Sequence, residues 1–508
     1  MNSEKINNYL EDKRTPKSKG KKNYKSFVLL EDGRIAEEIV SSDPMFAIFD
    51  PATEQIEIKP TVQLHGKYVY PLDGDLVTKK VLLLPEKADE YDDVESLRKE
   101  VQSFIHKYVD INPFYEKLAS YYVLLTWLFD RNTSVTYLGI FGDYGSGKTR
   151  AAQVIGILCY KTAFVSGALT CAPIYRILEQ ARGTLVINEF DFDNSDMGVE
   201  MIKILNNGYE KGMHVLRVEP KSNKVEAFDA FSPKVFTYRR KKKDQAFESR
   251  LVTIPMEETR RDDIPILLPL KHEQEAMQLR NKLLMFRFKN FHKKVAVDES
   301  IFIGIERRLR QTLYPLLTVI EDQEFIAKLG GFIQDYQEQQ RVDRSMSWLG
   351  DYLTALVSLT CQEGEITVKA LTDTYNAAKE PVNHINARKA GNVVRNELKL
   401  KTARLTSGEH KGQFSIKINA EKVRQQCLKY GVEIPEQSSL YSPSSLQEQA
   451  QSELSEGSED IQVVEGTVLT PCYACQSRKF WKASFGNILC AVCHPPVSEN
   501  DVEEWITV

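Results

Sequence analysis

Short apolar runs separated by turn residues dominate the first part of this 508-residue chain. Residues 25–30 and 45–49 are two such runs, and each is followed by a pair of turn-forming residues that contains Gly or Pro. Runs of this length that end at turn pairs are typical of strands. The pattern predicts a β-rich N-terminal domain over residues 23–92, in which no combination of residues indicates a chemical role.

The spacing of apolar positions then becomes helical. Val94, Leu97 and Val101 recur at intervals of three and four residues, and residues 121–129 are almost continuously apolar. Such intervals predict a helix with one buried face, and a longer apolar run predicts a buried helix. We therefore predict a helical segment over residues 93–132 that packs against the domain after it.

A buried strand and a glycine-rich loop open the next predicted domain, residues 133–262. Residues 135–141 form an apolar run, and residues 150–158 after the loop have a helical pattern. Strand, glycine-rich loop and helix form the context that the phosphate-binding motif G-x-x-x-x-G-K-[ST] requires. The residues of this loop are Gly142, Asp143, Tyr144, Gly145, Ser146, Gly147, Lys148 and Thr149.

This loop predicts a site for ATP and Mg²⁺. Glycines let successive backbone N–H groups point at phosphate oxygens, and the helix N-terminus adds the positive end of its dipole. Lys148 would reach the β- and γ-phosphates, and the Thr149 hydroxyl would bind Mg²⁺. The alternative is a glycine-rich turn that matches the motif by chance.

A second nucleotide motif, of the Walker B kind, is predicted where the apolar run 185–187 ends in Asn188 and Glu189. A carboxylate at Glu189 can polarise the attacking water. Asn188 occupies the position where an Asp would orient Mg²⁺, and its neutral amide adds no charge. Asp191 and Asp193 follow and could contribute that charge. The alternative is a buried strand followed by an acidic loop.

Two further candidates follow along the chain. Residues 228–238 are predicted to form another central strand, and Thr237 near its end is a candidate for sensing the γ-phosphate. Arg250 precedes the predicted strand 251–255 and could face the nucleotide of a neighbouring subunit, where it would stabilise charge in the transition state. A salt bridge at the start of the strand is an equally open interpretation of Arg250.

These motifs together resemble the AAA+-type helicase and primase-helicase ATPases of plasmids, phages and other mobile elements. The resemblance covers roughly residues 95–345 and rests on the loop and strand motifs above, on residues 205–209 (LNNGY), on Pro233-Lys234 and on residues 248–250 (ESR). It implies a homo-oligomer, which in this family is often a ring around or beside DNA. It also implies an arginine that acts across the subunit boundary. Residues 263–345 would form a helical lid. The departure at Asn188 bears on the rate of hydrolysis more than on nucleotide binding.

Residues 346–430 resemble a winged-helix domain, with three helical patterns followed by two strand-like runs. The third helix would lie in the major groove of DNA. Its side chains and those of the hairpin suit bases or phosphates. The candidate DNA contacts are Arg388, Lys389, Asn392 and Arg395 on the helix, with Arg404 and Lys411 on the wing. The alternative is a winged helix that contacts only protein.

The composition shifts abruptly after residue 430. Residues 431–469 are rich in Ser, Gln and Glu and predict an acidic disordered linker. Two C-x₂-C pairs then follow within a predicted zinc ribbon, residues 470–497, before a tail at 498–508. The spacing fits one structural Zn²⁺ held by four thiolates, and disulfides or chance are the alternatives. The predicted ligands are Cys472, Cys475, Cys490 and Cys493.

Composition and charge add the expected compartment. Apolar residues make up 42% of the chain and charged residues 27%, which is ordinary for a globular protein. No apolar run approaches the ~20 residues that span a bilayer. Residues 1–22 form a polar, basic arm, predicted to be disordered and unlike a secretory signal. We therefore expect a cytoplasmic protein without a membrane partner.

The sequence thus predicts an α/β P-loop NTPase core with a helical lid, joined to a β-rich N-terminal domain, a winged helix and a C-terminal zinc ribbon. The expected function is ATP-dependent DNA unwinding or remodelling by a helicase-like replication ATPase of a mobile element. Two alternatives stay open. One is a DNA-binding ATPase switch that does not translocate, and the other is a non-enzymatic DNA-binding adaptor with a degenerate nucleotide site.

Overall fold

The computed structural model of the chain describes residues 22–166, 171–190, 196–218, 224–240, 244–362, 364–408, 410–441, 479–483, 488–490 and 502–507. These residues fall into two compact units. The first contains the described residues up to Val297 together with Arg307–Asp322. The second contains Asp298–Glu306 and the described residues from Gln323 onward.

The first unit begins with the predicted β-rich region. Four antiparallel strands pair in the order β2-β3-β4-β5, and three shorter strands pair in the order β1-β7-β6. Buried side chains such as Val28, Phe46 and Ile48 form the core of this region. The strands are β1 (Asn23–Tyr24), β2 (Phe27–Leu29), β3 (Ile35–Val40), β4 (Pro44–Asp50), β5 (Gln55–Lys59), β6 (Val62–Leu64) and β7 (Lys67–Tyr70).

A five-stranded parallel sheet lies at the centre of the first unit and confirms the predicted α/β core. Its strand order is β14-β8-β13-β10-β9, and every neighbouring pair is parallel. The strands are β8 (Tyr137–Phe141), β9 (Ala163–Ser166), β10 (Leu185–Asn188), β13 (Lys234–Tyr238) and β14 (Leu251–Pro255). Because the strands are parallel, their carboxyl ends share one edge, and residues that follow β8, β10 and β13 lie near one another.

The remaining strands of the first unit correct one prediction. Residues 228–238 do not form a single central strand, because β12 (Val225–Asp229) pairs with β11 (His214–Val218) in an antiparallel hairpin. The carboxylate of Asp229 accepts a hydrogen bond from the N–H of Phe231 at 3.0 Å. The chain therefore turns there, and the central strand begins only at Lys234.

Helices cover the central sheet. The long helix α3 (Pro113–Leu128) is buried along most of its length, and two of its side chains donate hydrogen bonds to the core. The Trp127 indole donates to the carbonyl of Leu158 at 2.9 Å, and the Tyr122 hydroxyl donates to that of Lys234 at 2.9 Å. The helices are α1 (Asp75–Thr78), α2 (Val94–Tyr108), α3 (Pro113–Leu128), α4 (Lys148–Gly156), α5 (Cys171–Ala181), α6 (Asp196–Asn207), α7 (Gln245–Glu248), α8 (Leu270–Asn290) and α9 (Arg307–Leu317).

A buried group of charges joins the N-terminal region to the core. Glu37 on β3 is fully buried and accepts hydrogen bonds from Arg287 on α8 and from the Tyr160 hydroxyl. Lys161 pairs with the same carboxylate at 2.7 Å, and Arg287 also pairs with Asp130 at 2.7 Å. Charges buried this deeply need partners, so these contacts fix the N-terminal sheet against the core.

The second unit contains the helices and hairpin predicted for residues 346–430. Buried side chains from four helices and the hairpin, among them Tyr352, Leu371 and Ile416, form one core. Thr367 also bridges to Ser415 beside the hairpin. The elements are α10 (Gln323–Ser345), α11 (Trp348–Leu359), α12 (Val368–Ala377), α13 (Ala387–Asn396), β15 (Lys401–Arg404), β16 (Phe414–Lys417) and α14 (Ala420–Tyr430).

Two sequence-based boundaries differ from the structure. Residues 263–345 are divided between the two units, since α8 and α9 belong to the first and α10 to the second. The predicted linker also begins too early. Leu440 is buried in the core of the second unit, and the N–H of Ser439 donates to the carbonyl of Thr360 at 2.9 Å.

Near the C-terminus the structure describes three strands, β17 (Lys479–Ala483), β18 (Ile488–Cys490) and β19 (Val502–Thr507). They pair antiparallel in the order β18-β17-β19, so the predicted tail contributes a strand.

Cys472, Cys475 and Cys493 lie outside the described residues, and only the backbone of Cys490 is described. Within the described ranges, no group of three or more His, Cys, Asp or Glu side chains is placed to hold a metal ion. No helix among them has the length and apolar character needed to cross a bilayer.

Candidate nucleotide site

The backbone of the loop between β8 and α4 has the conformation that its glycines allow. Gly145 and Gly147 have φ values of 82° and 83°, in the left-handed region that other residues avoid. Gly142 is needed for a different reason, because a Cβ there would lie 2.5 Å from the carbonyl oxygen of Met256. The loop therefore turns tightly and brings its N–H groups close to the N-terminus of α4.

Lys148 and Ser146 close over this loop. The Lys148 ammonium donates to the carbonyl of Asp143 and lies 3.4 Å from the Ser146 hydroxyl. Ser146 in turn donates to the Asp143 carbonyl at 2.8 Å. Tyr144 lies at the tip of the loop with 93% of its surface exposed. The N-cap residue of α4 is Gly147, which has no side chain to cap the first turn of the helix.

Asn188 joins two hydroxyl groups at the same edge of the sheet. Its side-chain oxygen accepts hydrogen bonds from the Thr149 hydroxyl at 3.2 Å and from the Thr237 hydroxyl at 2.9 Å. These contacts form because β13 lies between β8 and β10, so that Thr237 is placed between the loop and the end of β10. The structure thus brings together three residues that the sequence predicted separately.

Glu189 follows in a strained conformation. Its φ is 56°, which is uncommon for a residue other than glycine. Thr237 holds this turn twice: its hydroxyl accepts from the N–H of Glu189 at 2.8 Å, and its carbonyl accepts from that of Phe190 at 2.8 Å. Phe190 is fully buried against Phe236 and Phe247, while the side chain of Glu189 is exposed. The turn therefore presents the Glu189 carboxylate on the surface beside the phosphate loop.

Thr237 is enclosed in this arrangement. Only 1% of its surface is exposed, and its hydroxyl both donates to Asn188 and accepts from Glu189. It positions these two residues, and its contact with a γ-phosphate stays a prediction. Asp191 and Asp193, the alternative sources of charge, lie outside the described residues.

Arg250 lies at the amino end of the sheet strands, whereas the phosphate loop lies at their carboxyl end. It precedes β14, whose first residue pairs with Tyr137, whereas the loop follows Phe141 four residues further along β8. At ~3.3 Å per residue, the two positions are more than ~13 Å apart. Arg250 therefore lies too far from this loop to share a site with it in the same chain.

A second arginine accompanies Arg250. The guanidinium groups of Arg250 and Arg308 lie 5.2 and 4.6 Å from the ring of Tyr209. Burial, followed by the charge of Arg308, lowers the pKa of Arg250. Among the described residues Arg250 has no ion pair, and its Nε is buried without a hydrogen-bond partner. The salt-bridge interpretation of Arg250 therefore finds no support within the described part of the chain.

The candidate DNA contacts lie on the surface of the second unit. Arg388, Lys389, Asn392 and Arg395 are exposed on α13. Arg395 donates to Asn392 Oδ1 at 2.8 Å and to the Thr402 hydroxyl at 3.3 Å, so it links the helix to the hairpin. Arg404 and Lys411 are exposed on that hairpin and the loop between its strands.

A cavity of about 530 Å³, which the sequence did not predict, lies beside the phosphate loop. It runs along α4 from Thr149 and Asn188 to Ile157, between the end of β9 and the start of α8. His272 on α8 lines it. The apolar segment 264–270, with its two prolines, was the available signal, but its position over α4 depends on tertiary structure.

Comparisons with known proteins give only remote similarity. No family model matches the chain, and no curated protein matches it. Solved structures with similarity include the apo C-terminal region (305–718) of NrS-1, with 12% identity, a TM-score of 0.36 and coverage of 73% of this chain and 84% of that chain. A full-length MCM homolog from Methanopyrus kandleri has 9% identity, a TM-score of 0.33 and coverage of 60% and 78%. The SCCmec type IV Cch active helicase has 10% identity, a TM-score of 0.36 and coverage of 84% of each chain.

Proposed function

We propose that this chain is a Mg²⁺-dependent ATPase that acts on DNA as a helicase-like replication protein. One observation carries the proposal: Lys148, Thr149, Asn188 and Glu189 converge at the carboxyl edge of one parallel sheet. A glycine-rich loop, a cation, a hydroxyl and a carboxylate at one edge form the set that phosphoryl transfer to water needs.

The residues have distinct roles in this proposal. The N–H groups at the start of α4 and the Lys148 ammonium would hold the phosphates, and Lys148 would exchange the Asp143 carbonyl for phosphate oxygens. Glu189 would take a proton from the water that attacks the γ-phosphate, giving ADP and phosphate. The Thr237 hydroxyl accepts from the N–H of Glu189 at 2.8 Å and so holds the backbone from which that carboxylate projects.

The donor set also fits Mg²⁺. Thr149 Oγ1 and Asn188 Oδ1 lie 3.2 Å apart, and hydroxyl and amide oxygens are ligands that this hard cation accepts. Thr149 would contribute a ligand, and Asn188 would orient the hydroxyl or a bound water. Magnesium supplies positive charge that neutralises the phosphate oxygens.

Arg250 supports an oligomer in this proposal. Its position at the amino-terminal end of the sheet strands is too far from the phosphate loop of its own chain, and the neighbouring Arg308 is already paired with Glu210 at 3.6 Å. We propose that Arg250 reaches the γ-phosphate bound by an adjacent copy in a homo-oligomer such as a ring. An arginine supplied in this way stabilises charge in the transition state.

The second unit is proposed to bind DNA as a winged helix. Three helices and a hairpin occur in the required order, and the exposed face of α13 carries Arg388, Lys389 and Arg395. Asn392 and Arg395 hydrogen-bond each other, which fixes both side chains before any contact with DNA. Arg404 and Lys411 extend this positive surface along the hairpin.

A zinc ribbon is proposed at the C-terminal end of the second unit. The strands β17, β18 and β19 form a small sheet, and Cys490 ends β18. Zinc analysis of the full-length chain should find one metal ion per chain, and Cys475→Ser should release it. A chain without zinc would contradict this part of the proposal alone.

ATP turnover with and without single- and double-stranded DNA tests the central proposal, followed by a strand-displacement assay. We expect turnover stimulated by DNA and displacement that requires ATP. Turnover without displacement would favour a DNA-binding switch. Absence of turnover would favour a DNA-binding adaptor, which the neutral Asn188 makes the second candidate.

A further inference from the structure

The small sheet β1-β7-β6 carries three tyrosines on one face. Val69 in β7 is fully buried in the core of the N-terminal region. Successive side chains of a strand point to opposite faces, so Tyr68 and Tyr70 lie on the other face. Tyr24 in β1 pairs in register with Tyr70 and shares that face. Tyr68 is 49% exposed and Tyr24 is 38% exposed, so among the described residues this face is an exposed row of aromatic rings.

The spacing of these rings suits unpaired bases. The ring centroids of Tyr24 and Tyr70 lie 6.0 Å apart with an angle of 49° between the planes, so the two rings do not stack on each other. Tyr68 and Tyr70 are two residues apart on one strand, which separates them by ~7 Å. Steps of this size are close to those between consecutive bases of an extended single strand, and each base can stack on one ring. The bases of a duplex are already paired and stacked, so such a face favours single strands.

The charge of this part of the chain complements a nucleic-acid backbone. The Lys22 ammonium lies 4.8 Å from the centroid of the Tyr70 ring, and Lys67 is exposed on β7. Residues 13–25 (KRTPKSKGKKNYK) include seven Lys or Arg and no acidic residue, and residues 59–70 (KPTVQLHGKYVY) contain no acidic residue either. Cations beside exposed aromatic rings are the combination that binds single-stranded nucleic acid.

We propose that this tyrosine face, formed by Tyr24, Tyr68 and Tyr70, binds single-stranded DNA by stacking on its bases. The choice of DNA rests on the proposed function, and the inference adds a binding site in the first unit, whereas the winged helix belongs to the second. Lys22 would contact a phosphate of the bound strand. The unit that contains the phosphate loop would thus bind an unpaired strand directly.

Photocrosslinking of the full-length chain to a short single strand locates the site. The probe is an oligothymidylate in which one base is replaced by iodouracil, which crosslinks to an aromatic ring stacked on it. Mass spectrometry identifies the crosslinked residue. We expect crosslinks at Tyr24, Tyr68 or Tyr70. Crosslinks confined to other segments, or none, would overturn the site.

Fluorescence anisotropy with a labelled oligothymidylate measures the affinity. The double variant Tyr24→Ala with Tyr68→Ala removes two exposed rings, and we expect it to bind this strand at least about tenfold more weakly, since a single base–aromatic stack accounts for about that much. An abasic strand and a duplex of the same length offer no unpaired base. The double variant should bind both with the affinity of the wild type.

Two control variants test the role of the ring. Tyr68→Phe keeps the ring and removes the hydroxyl, so it should retain the affinity of the wild type. Tyr314→Ala removes a tyrosine of the same unit that is 37% exposed on α9, and it should change none of the affinities.

The outcomes separate this site from the proposed function. Wild-type affinity of the double variant for oligothymidylate, or an equal loss for the abasic strand, would overturn the site and leave the ATPase proposal intact. Tyrosine-dependent binding in a chain without ATP turnover would overturn the ATPase proposal and leave the site. A wild-type chain that binds no form of DNA would overturn the site together with the proposed action on DNA.

Discussion

At the scale of single residues, Asn188 provides one oxygen that two hydroxyl groups share. Its one oxygen accepts from Thr149 and Thr237, as a carboxylate oxygen would. What is missing is the negative charge, which matters for a cation more than for a hydroxyl. In the proposed site, the effect of a neutral amide at this position should therefore appear in the dependence on Mg²⁺.

Asn188→Asp is expected to lower the Mg²⁺ concentration needed for half-maximal ATP turnover, because it adds charge while keeping both acceptor bonds. Titration of turnover against Mg²⁺ measures the effect. Asn419→Asp, which changes the N-cap of α14 to an equally suitable residue, is the control and should leave the curve unchanged. A midpoint that does not move in Asn188→Asp would show that charge at this position is not limiting.

Thr237 gives a second prediction at this scale. Thr237→Val keeps the shape of the side chain but leaves the N–H of Glu189 without its acceptor and the oxygen of Asn188 without one of its donors. We expect kcat to fall at least about tenfold, while nucleotide affinity stays near the wild-type value, since the phosphate loop is untouched. Single-turnover kinetics and equilibrium binding separate the two quantities.

Thr237→Ser provides the matched control, because it retains the hydroxyl and should retain most of the turnover. An equal loss of activity in the Ser and Val variants would argue against the positioning role. A large loss of nucleotide affinity in Thr237→Val would instead favour direct contact with the γ-phosphate.

The phosphate loop could be predicted from the sequence because all its information is local. Eight consecutive residues specify the turn, and the flanking runs specify a strand and a helix. The contacts of Thr237 could not be predicted in the same way. They depend on the insertion of β13 between β8 and β10, and strand order is set by packing across the whole sheet.

At the scale of elements, the same contrast explains the correction at residues 228–238. The apolar run favours one strand, yet Asp229 and Pro233 break it, and its first part pairs with β11 instead. The helices and hairpin of the second unit were easier to predict, because their helical and alternating patterns are separated by clear turns. The burial of Leu440 was not predictable, since its neighbours in the sequence are polar.

The exposed face of α13 yields a prediction for DNA binding. Replacing Arg388, Lys389 and Arg395 with Ala should weaken duplex binding and reduce the slope of log affinity against log salt by about three, because each phosphate contact accounts for about one unit of that slope. Binding measured at several salt concentrations gives the slope. Lys79, Lys87 and Lys99, exposed on the first unit, supply a control triple substitution of equal charge.

Unchanged affinity and slope in the α13 variant would assign this face to protein contacts. An equal decrease in the control variant would show that only the net charge of the chain matters.

The buried carboxyl of Glu38 on β3 gives a prediction about how the stability of the fold depends on pH. The side chain is fully buried, and burial raises its pKa from 4.5 to about 7. Because the folded pKa lies above the unfolded one, the protonated form is favoured by folding. The protonated Glu38 carboxyl therefore stabilises the folded state at low pH, and this stabilisation is lost as the pH rises towards and through about 7.

Glu38→Gln should therefore be more stable than the wild type at pH 8, by roughly 3 kcal/mol, and the difference should shrink as the pH falls below 7. Denaturant unfolding at several pH values measures the free energy of unfolding. Glu57→Gln, on the exposed strand β5, is the control and should show no such trend. A stability difference that is independent of pH would contradict the assignment.

At the scale of the whole molecule, the two ends of the strands in the central sheet have different roles in the proposal. The phosphate loop lies at the carboxyl end of the strands, and Arg250 and Arg308 lie around Tyr209 at the amino end. In the proposed oligomer, a single chain therefore supplies the two halves of the site to different neighbours. This arrangement makes activity a property of pairs of subunits.

Mixing of inactive variants tests that property. Lys148→Ala and Arg250→Ala should each lose most ATP turnover, but a mixture of the two should recover a substantial part of it, because some interfaces then combine an intact Lys148 with an intact Arg250. Turnover is measured as a function of mixing ratio. The double variant mixed with Arg250→Ala is the control and should recover nothing, and failure of the first mixture would place Arg250 outside the site.

The buried charges at Glu37 have a consequence for how this protein can evolve. Lys161 and Arg287 belong to the core, yet the carboxylate that neutralises them comes from the N-terminal sheet. Without that sheet both cations would lose the Glu37 carboxylate; Arg287 would keep Asp130 and the Trp127 carbonyl, while Lys161 would keep no acidic partner among the described residues. The N-terminal region cannot therefore be exchanged by recombination as a free-standing cassette. Any replacement would have to bring an acidic residue to the same point.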